Sequence, residues 1–207
     1  MAFTKIGIKP KIMAIETNIW IYWLFCTLAM LSVILNRNFV YSLLCSNSNY
    51  LQKNGDYINL LIGGWIATFL ASIGYVIFTS KNAAGTYHIP DLLAFSVLNG
   101  ILEQFMFVFW FLIGCYLARL RASKNSSYVF IWGYVCFFIF AGFIHAFFWI
   151  KVLPKHKPAT AIVIPLLSIM SFFWMRIYWQ CKKILPTIFM HIFVDFITIG
   201  HLHFSWF

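Results

Sequence analysis

Six long apolar stretches alternate with short polar connectors along the chain. Each stretch is close to the ~20 apolar residues that a helix needs to cross a bilayer, and nearly all charged residues fall in the connectors. No polar block is left over for an extramembrane domain. The pattern therefore predicts one all-α membrane domain over 1–207, a polytopic transmembrane helical bundle of about six spans. The predicted spans are 18–35, 58–79, 92–117, 128–150, 159–179 and 184 to about 199.

The composition agrees with a membrane protein, because 62% of the residues are hydrophobic, 10% are charged and the mean hydropathy is +0.84. A soluble domain is roughly half apolar and a quarter charged. The net charge of +10 is dispersed over several short connectors, which suits anionic lipid headgroups and argues against a nucleic-acid partner. Lys and Arg divide almost evenly between alternate connectors, so the orientation of the termini stays open.

The amino-terminal quarter carries three further expectations. The first span is too long for a typical signal-peptide core and lacks a clear small-residue cleavage site, so we expect it to be retained, with cleavage as the alternative. Segment 36–57 is the most polar part of the chain and is predicted to be a single loop. Several Trp and Tyr residues near span ends are predicted to anchor at the membrane interface: Trp20, Tyr22, Tyr128, Tyr178 and Trp179.

Four ionisable side chains fall inside the predicted spans: Glu103, His145, His191 and Asp195. An ionisable group in the membrane interior is costly and is a functional candidate by default. His191 and Asp195 are four residues apart, so they should lie on one face of a helix, where the carboxylate can orient the imidazole. A buried polar group bonded to a neighbouring helix is the alternative for each residue alone. The coincidence of all four favours a functional site.

Order and spacing of these residues resemble the CPBP family of intramembrane proteins, which includes the CAAX prenyl endopeptidases and bacteriocin-immunity proteins. That family carries Glu-Glu-x-x-x-Arg, then Phe-x-x-x-His, then His-x-x-x-Asn or Asp. Here a Glu-Gln pair is followed by a His and by His-x-x-x-Asp after Lys-Ile-Leu-Pro, and the resemblance covers about 92–199. The chain departs from the family at Gln104 and Val108, which replace the second Glu and the Arg, and at Ala141, which replaces the Phe.

The resemblance implies a catalytic role for each of the four residues. Glu103 would be the general base that activates water, with His145 assisting it, while His191 and Asp195 would face the developing oxyanion. Gln104 would support the site in the place of the second Glu. An ionised Asp195 would repel an oxyanion, so it would either orient a protonated His191 or itself stay protonated. No cofactor and no metal ion are expected in this scheme.

Two functions from different classes follow. The first is an intramembrane endopeptidase that cleaves a membrane-associated peptide or protein, and the alternative is an inactive CPBP-like protein that binds a partner as an immunity or assembly factor. A metal site formed by the same four residues is a further alternative, whereas a transporter is disfavoured because the other spans hold few ionisable groups. Abundant Ile, Phe, Lys and Asn suggest an AT-rich genome, hence a bacterial cytoplasmic membrane or a plastid, thylakoid-type membrane.

Overall fold

Seven α-helices account for nearly all of the chain that the computed structural model describes, namely residues 10–45, 54–78, 89–121, 125–147 and 162–201. These described residues contain no strand. The protein is therefore an all-α, polytopic helical bundle, as the hydrophobic pattern predicted. The helices are α1 (Pro10–Leu35), α2 (Arg37–Cys45), α3 (Asn54–Phe78), α4 (Ile89–Leu120), α5 (Ser126–Phe147), α6 (Val163–Cys181) and α7 (Leu185–His201).

Each of the six predicted spans coincides with a helix, although 79, 148–150 and 159–161 lie outside the described residues. Among the described helices, α1, α3, α4 and α5 are long and apolar enough to cross a membrane by themselves. Helices α6 and α7 are shorter, with 19 and 17 residues. The protein is thus an integral membrane protein with at least four candidate spans.

Helix α2 corrects the prediction of a single loop over 36–57. Its apolar side chains recur on one face, and Leu43 and Leu44 are buried where α2 packs against α4. Phe39 contacts the ring of Tyr116 on α4, with the two ring centroids 5.7 Å apart. Helix α2 was missed because it is short and contains polar residues beside its apolar face, so it forms no long apolar stretch. Residues 46–53 of the predicted loop lie outside the described part of the chain.

Helix α4 lies at the centre of the bundle and packs against α1, α2, α5 and α7. Glycines allow two of these helices to approach its backbone. A Cβ at Gly114 would lie 2.3 Å from the carbonyl oxygen of Trp132 on α5, and one at Gly100 would lie 2.9 Å from the backbone nitrogen of Ile192 on α7. Helix α3 packs on α6 and α7, so α7 joins the two halves of the bundle.

A tight turn connects α6 to α7 and determines where α7 begins. Lys182 adopts a left-handed conformation with φ of 59°, and its N–H donates to the carbonyl of Tyr178 at 2.9 Å, closing the last turn of α6. Pro186 lies in the first turn of α7, where its missing N–H costs no helical hydrogen bond. The turn therefore directs α7 back into the bundle beside α4.

The outer faces of the long helices are apolar. Large hydrophobic side chains are about half exposed on α1 and α3, on sides that no other described helix covers. Such a surface is stable only against lipid tails, because it would expose extended apolar patches in water. The folded bundle therefore needs lipid around these faces. Representative residues are Leu24, Phe25, Leu28, Ile62, Ile66 and Phe69.

Candidate functional site

Three of the four predicted ionisable residues meet where α4 packs against α7. His191 Nε2 lies 3.3 Å from Glu103 Oε2 and 3.7 Å from Asp195 Oδ1. All three residues are buried, and Glu103 is near the middle of α4. His191 and Asp195 lie one turn apart on α7, in agreement with their spacing. The small size of Gly100, one turn before Glu103, allows α7 to come this close.

Asn99 joins the two carboxylates and was not identified from the sequence. Its side-chain nitrogen donates to Glu103 Oε2 at 2.8 Å and to Asp195 Oδ2 at 2.9 Å. The indole N–H of Trp23 on α1 donates to Asn99 Oδ1 at 2.8 Å. An indole nitrogen can only donate, so the Asn99 oxygen must face Trp23 and its NH₂ group must face the carboxylates. Helix α1 therefore sets the orientation of the amide that holds the cluster together.

Tyr22 on α1 supplies a second contact to the cluster. Its hydroxyl donates to Glu103 Oε1 at 2.6 Å, which is short, as expected when the acceptor is charged. The prediction that Tyr22 anchors at the membrane interface is therefore wrong. Tyr178 and Trp179, which were also predicted as interface anchors, are 4% and 7% exposed and belong to the core. Aromatic residues near the end of an apolar stretch do not reveal whether they face lipid or the bundle.

The imidazole of His191 is held on both faces and at both nitrogens. Phe107 stacks on it with centroids 5.4 Å apart and planes within 11°, and the Trp174 ring lies 5.1 Å away. Its Nδ1 lies 3.1 Å from Gln104 Oε1. The nitrogen of the same Gln104 amide has no hydrogen-bond partner among the described residues. Since an amide can present either its oxygen or its NH₂ group, Gln104 can accommodate both tautomers of His191.

His145 lies on α5, apart from the three clustered residues. Its Nδ1 is 2.7 Å from the carbonyl oxygen of Ala141, which can only accept, so Nδ1 carries a proton. The ring of Phe107 lies 6.5 Å from the His145 ring and also stacks on His191, so both imidazoles contact the same aromatic side chain. His145 was predicted to join the other three residues. It lines the same cavity as the cluster but is not part of it.

A cavity of about 340 Å³ connects His145 with the cluster. Glu103, His191, Asp195 and His145 all line it, and the rest of its wall is mostly apolar and aromatic. The wall is formed by parts of α1, α3, α4, α5, α6 and α7. From the cluster, the cavity runs toward the end of the bundle that contains the start of α6 and the end of α5. It is large enough for a few side chains of a peptide.

The cluster must hold protons or a cation to limit its charge. Two ionised carboxylates and one imidazolium sum to −1, so one further proton would make the group neutral. Burying uncompensated charge in a bilayer is costly. Glu103, His191 and Asp195 also each offer one ligand atom within 4.8 Å of the others, an arrangement that could hold a divalent metal ion. His145, the fourth ligand of the alternative metal site, is not part of this group among the described residues.

Comparisons with models of protein families, with curated proteins and with solved structures find no match for this chain. The resemblance to the CPBP motifs therefore remains a hypothesis.

Proposed function

We propose that the protein is a CPBP-like intramembrane endopeptidase that hydrolyses a membrane-associated peptide or protein. The observation that carries this proposal is the meeting of Glu103, His191 and Asp195, from two separate helices, in the wall of a cavity that His145 also lines. Two of the five Asp and Glu side chains in the sequence lie in one buried cluster. Burying two ionisable groups in a membrane protein costs free energy, and packing alone does not explain why they are buried.

In this mechanism Glu103 takes a proton from a water molecule in the cavity as the water oxygen bonds to the peptide carbonyl carbon. His145, whose Nδ1 is held by the Ala141 carbonyl, helps to orient that water through Nε2. When Glu103 takes up this proton its contact with Nε2 of a protonated His191 weakens, and that Nε2–H donates to the oxygen that becomes negative, while Asp195 keeps His191 charged and oriented. The C–N bond then breaks, and Glu103 returns its proton to the leaving nitrogen. The products are a new carboxyl terminus and a new amino terminus.

The cavity suits a substrate that arrives from the membrane. Apart from the site residues, its wall is mostly apolar and contains several aromatic rings, including Phe95, Phe107, Phe137 and Trp174. Little water is expected in such surroundings, and electrostatic stabilisation of an oxyanion is stronger where water is excluded. The substrate segment would contribute apolar side chains to fill the cavity and a carbonyl group to reach the cluster.

The test compares purified wild type with Glu103→Gln and His191→Ala on a membrane-peptide library and on proteins of the native membrane, reading new termini by mass spectrometry. We expect cleavage by wild type and a loss of about 100-fold or more in both variants, the scale of a general base or oxyanion donor. A matched control is Ser96→Ala, a buried residue two turns before Glu103 whose hydroxyl has no hydrogen-bond partner among the described residues. Its activity should stay near that of wild type.

A chelator distinguishes proton chemistry from the metal alternative. Cleavage that persists after incubation with EDTA supports the mechanism above. Cleavage that is lost with EDTA and restored by zinc would assign the cluster to a metal ion instead. No cleavage by folded wild type in any condition would overturn the endopeptidase proposal.

A non-catalytic, partner-binding protein is the second candidate, and a specific observation favours it. Both oxygens of Glu103 already accept hydrogen bonds, from Tyr22 and from Asn99. In addition, Gln104 and Val108 stand where the family motif has charged residues. Under this proposal the cluster stabilises the bundle, and the cavity binds a membrane segment of an immunity or assembly partner without cutting it. Wild type and Glu103→Gln would then capture the same partner, with no new termini.

The host membrane belongs to the same proposal. The residue usage that suggests an AT-rich genome supports a bacterial cytoplasmic membrane or a plastid, thylakoid-type membrane. Expression in a bacterial host followed by membrane fractionation gives the first material for the cleavage test.

A further inference from the structure

A second cleft, of about 400 Å³, lies at the end of the bundle opposite to the site cavity. It is bounded by the corner between α1 and α2 on one side and by the turn between α6 and α7 on the other. Two cations line it, Arg37 and Lys182, and the rest of its wall is apolar or aromatic: Val33, Ile34, Val40, Tyr41, Leu44, Phe105, Val108, Tyr178 and Ile184. The two cavities share no lining residue.

The position of the two cations marks the membrane boundary. Arg37 begins α2, with Asn36 between it and the end of α1 at Leu35, and Lys182 follows the last residue of α6. Both lie at ends of apolar helices, where we expect the phosphates of a surrounding bilayer. The Lys182 ammonium sits 4.5 Å from the centre of the Trp179 ring and donates to the Trp179 carbonyl, so it is held beside the cleft.

The charge around the cleft is strongly positive. Among the described residues lining it there is no carboxylate. The start of α3 lies beside the carboxyl end of α6, which places Asp56 at this end of the bundle. Asp56 is the one acidic residue in the described part of this end. Four further cations share this end with Arg37 and Lys182: Arg119, Arg121, Arg176 and Lys183. An anion in the cleft would therefore meet a positive field with little local compensation.

We propose that this cleft binds one anionic phospholipid, with its phosphate between Arg37 and Lys182 and an acyl chain along Val33, Leu44 and Val108. Guanidinium and ammonium groups are the side chains that recognise phosphate. The apolar wall below them matches an acyl chain that enters from the surrounding bilayer. The cations and the apolar wall together favour an anionic lipid. A soluble phosphate would need only the cations, and a neutral lipid would need only the apolar wall.

Native mass spectrometry of the protein in neutral detergent tests the site, with phosphatidylglycerol and phosphatidylcholine as probes at matched concentration. The cleft variant is Arg37→Gln with Lys182→Asn, since Asn tolerates the left-handed backbone at this position. The control variant is Arg121→Gln with Lys183→Gln, which removes the same charge from the same end outside the cleft. Each variant also removes one cation–π contact, from Trp179 in the first and from Trp132 in the second.

We expect wild type to prefer phosphatidylglycerol, and its affinity to fall about tenfold in the cleft variant and to change little in the control, in keeping with the strength of a charge-assisted phosphate contact. An equal loss in both variants would indicate diffuse attraction and overturn the site. Equal binding of phosphatidylcholine, or displacement of the lipid by inorganic phosphate, would also overturn it. If the double variant fails to fold, the single variant Arg37→Gln, at an exposed position, should still lower the affinity while leaving the melting temperature unchanged.

Discussion

Gln104 and Val108 stand one helical turn apart on α4, where the CPBP motif has a glutamate and an arginine. Both side chains are fully buried, but their surroundings differ. Gln104 contacts His191, whereas Val108 lines the cleft with Arg37 and Lys182. Replacing an acidic and a basic residue together leaves the charge of the interior unchanged. Introducing the glutamate alone should therefore be harmful, and introducing the glutamate and the arginine together less so.

The change Gln104→Glu adds a third carboxylate to the buried cluster, and we expect it to destabilise the protein by about 3–5 kcal/mol, as an uncompensated buried charge does. Adding Val108→Arg should recover part of that loss, because residues four apart on a helix can pair, although Arg37 and Lys182 in the adjacent cleft repel the new cation. Thermal unfolding in detergent measures both effects. Additive losses in the double variant would show that the two positions are not coupled.

Single residues were predicted from the sequence when they were ionisable and stood in apolar surroundings. Glu103, His191 and Asp195 were found in this way, because a charge inside a span needs an explanation. Asn99 was missed although the same signal was present: an amide inside an apolar stretch, one turn before Glu103. Tyr22 and Trp23 could not have been found, since aromatic residues are equally at home in lipid, at the interface and in a core.

At the scale of helices, the contact between α4 and α7 brings the cluster together. Gly100 is the residue of α4 that lies against the α7 backbone, at Ile192, the residue directly after His191. Any side chain at this position must separate the two helices or displace the Ile192 backbone. The geometry of the site therefore depends on a residue that has no polar group of its own.

We expect Gly100→Ala to destabilise the protein by about 1–3 kcal/mol, the usual cost of overpacking a tight contact, and to lower activity or partner binding together with stability. The matched control is Gly142→Ala on α5, where a Cβ would meet nothing within 4 Å. It should be neutral or slightly stabilising, because alanine favours helix over glycine. Equal melting temperatures for the two variants would contradict the tight contact between α4 and α7.

Helix prediction succeeded for long apolar stretches and failed for α2. A span is recognised by length and composition, both of which are visible in the sequence. Helix α2 has nine residues, and only Leu43 and Leu44 of its apolar face are buried, because α4 lies beside them. Its apolar residues at 39, 40, 43 and 44 follow helical spacing, which was the available signal.

At the scale of the whole molecule, each end of the bundle brings together residues that are far apart in sequence. The end of α4, the start of α5 and the turn between α6 and α7 belong to the same end. The even distribution of Lys and Arg over the connectors left the orientation open, because the positive-inside rule needs an imbalance. The structure shows which ends of the described helices share a side.

Cysteine labelling checks this arrangement. In a background with the five native cysteines replaced, Arg121→Cys and Lys183→Cys should react with a membrane-impermeant maleimide from one side of sealed vesicles. Thr17→Cys and Ile89→Cys should react only from the other side. All four positions are exposed in the structure. Labelling of Arg121→Cys and Lys183→Cys from opposite sides would contradict the fold.

The lengths of α4 and α7 make the site responsive to the thickness of the bilayer. With 32 residues, α4 is about 48 Å long, whereas α7, with 17, is about 26 Å, and a typical hydrocarbon core measures about 30 Å. A thinner membrane increases the tilt of α4 but suits α7, and a thicker one straightens α4 and leaves α7 short. Because Glu103 and His191 lie on these two helices, we expect lipid chain length to change the distance between them.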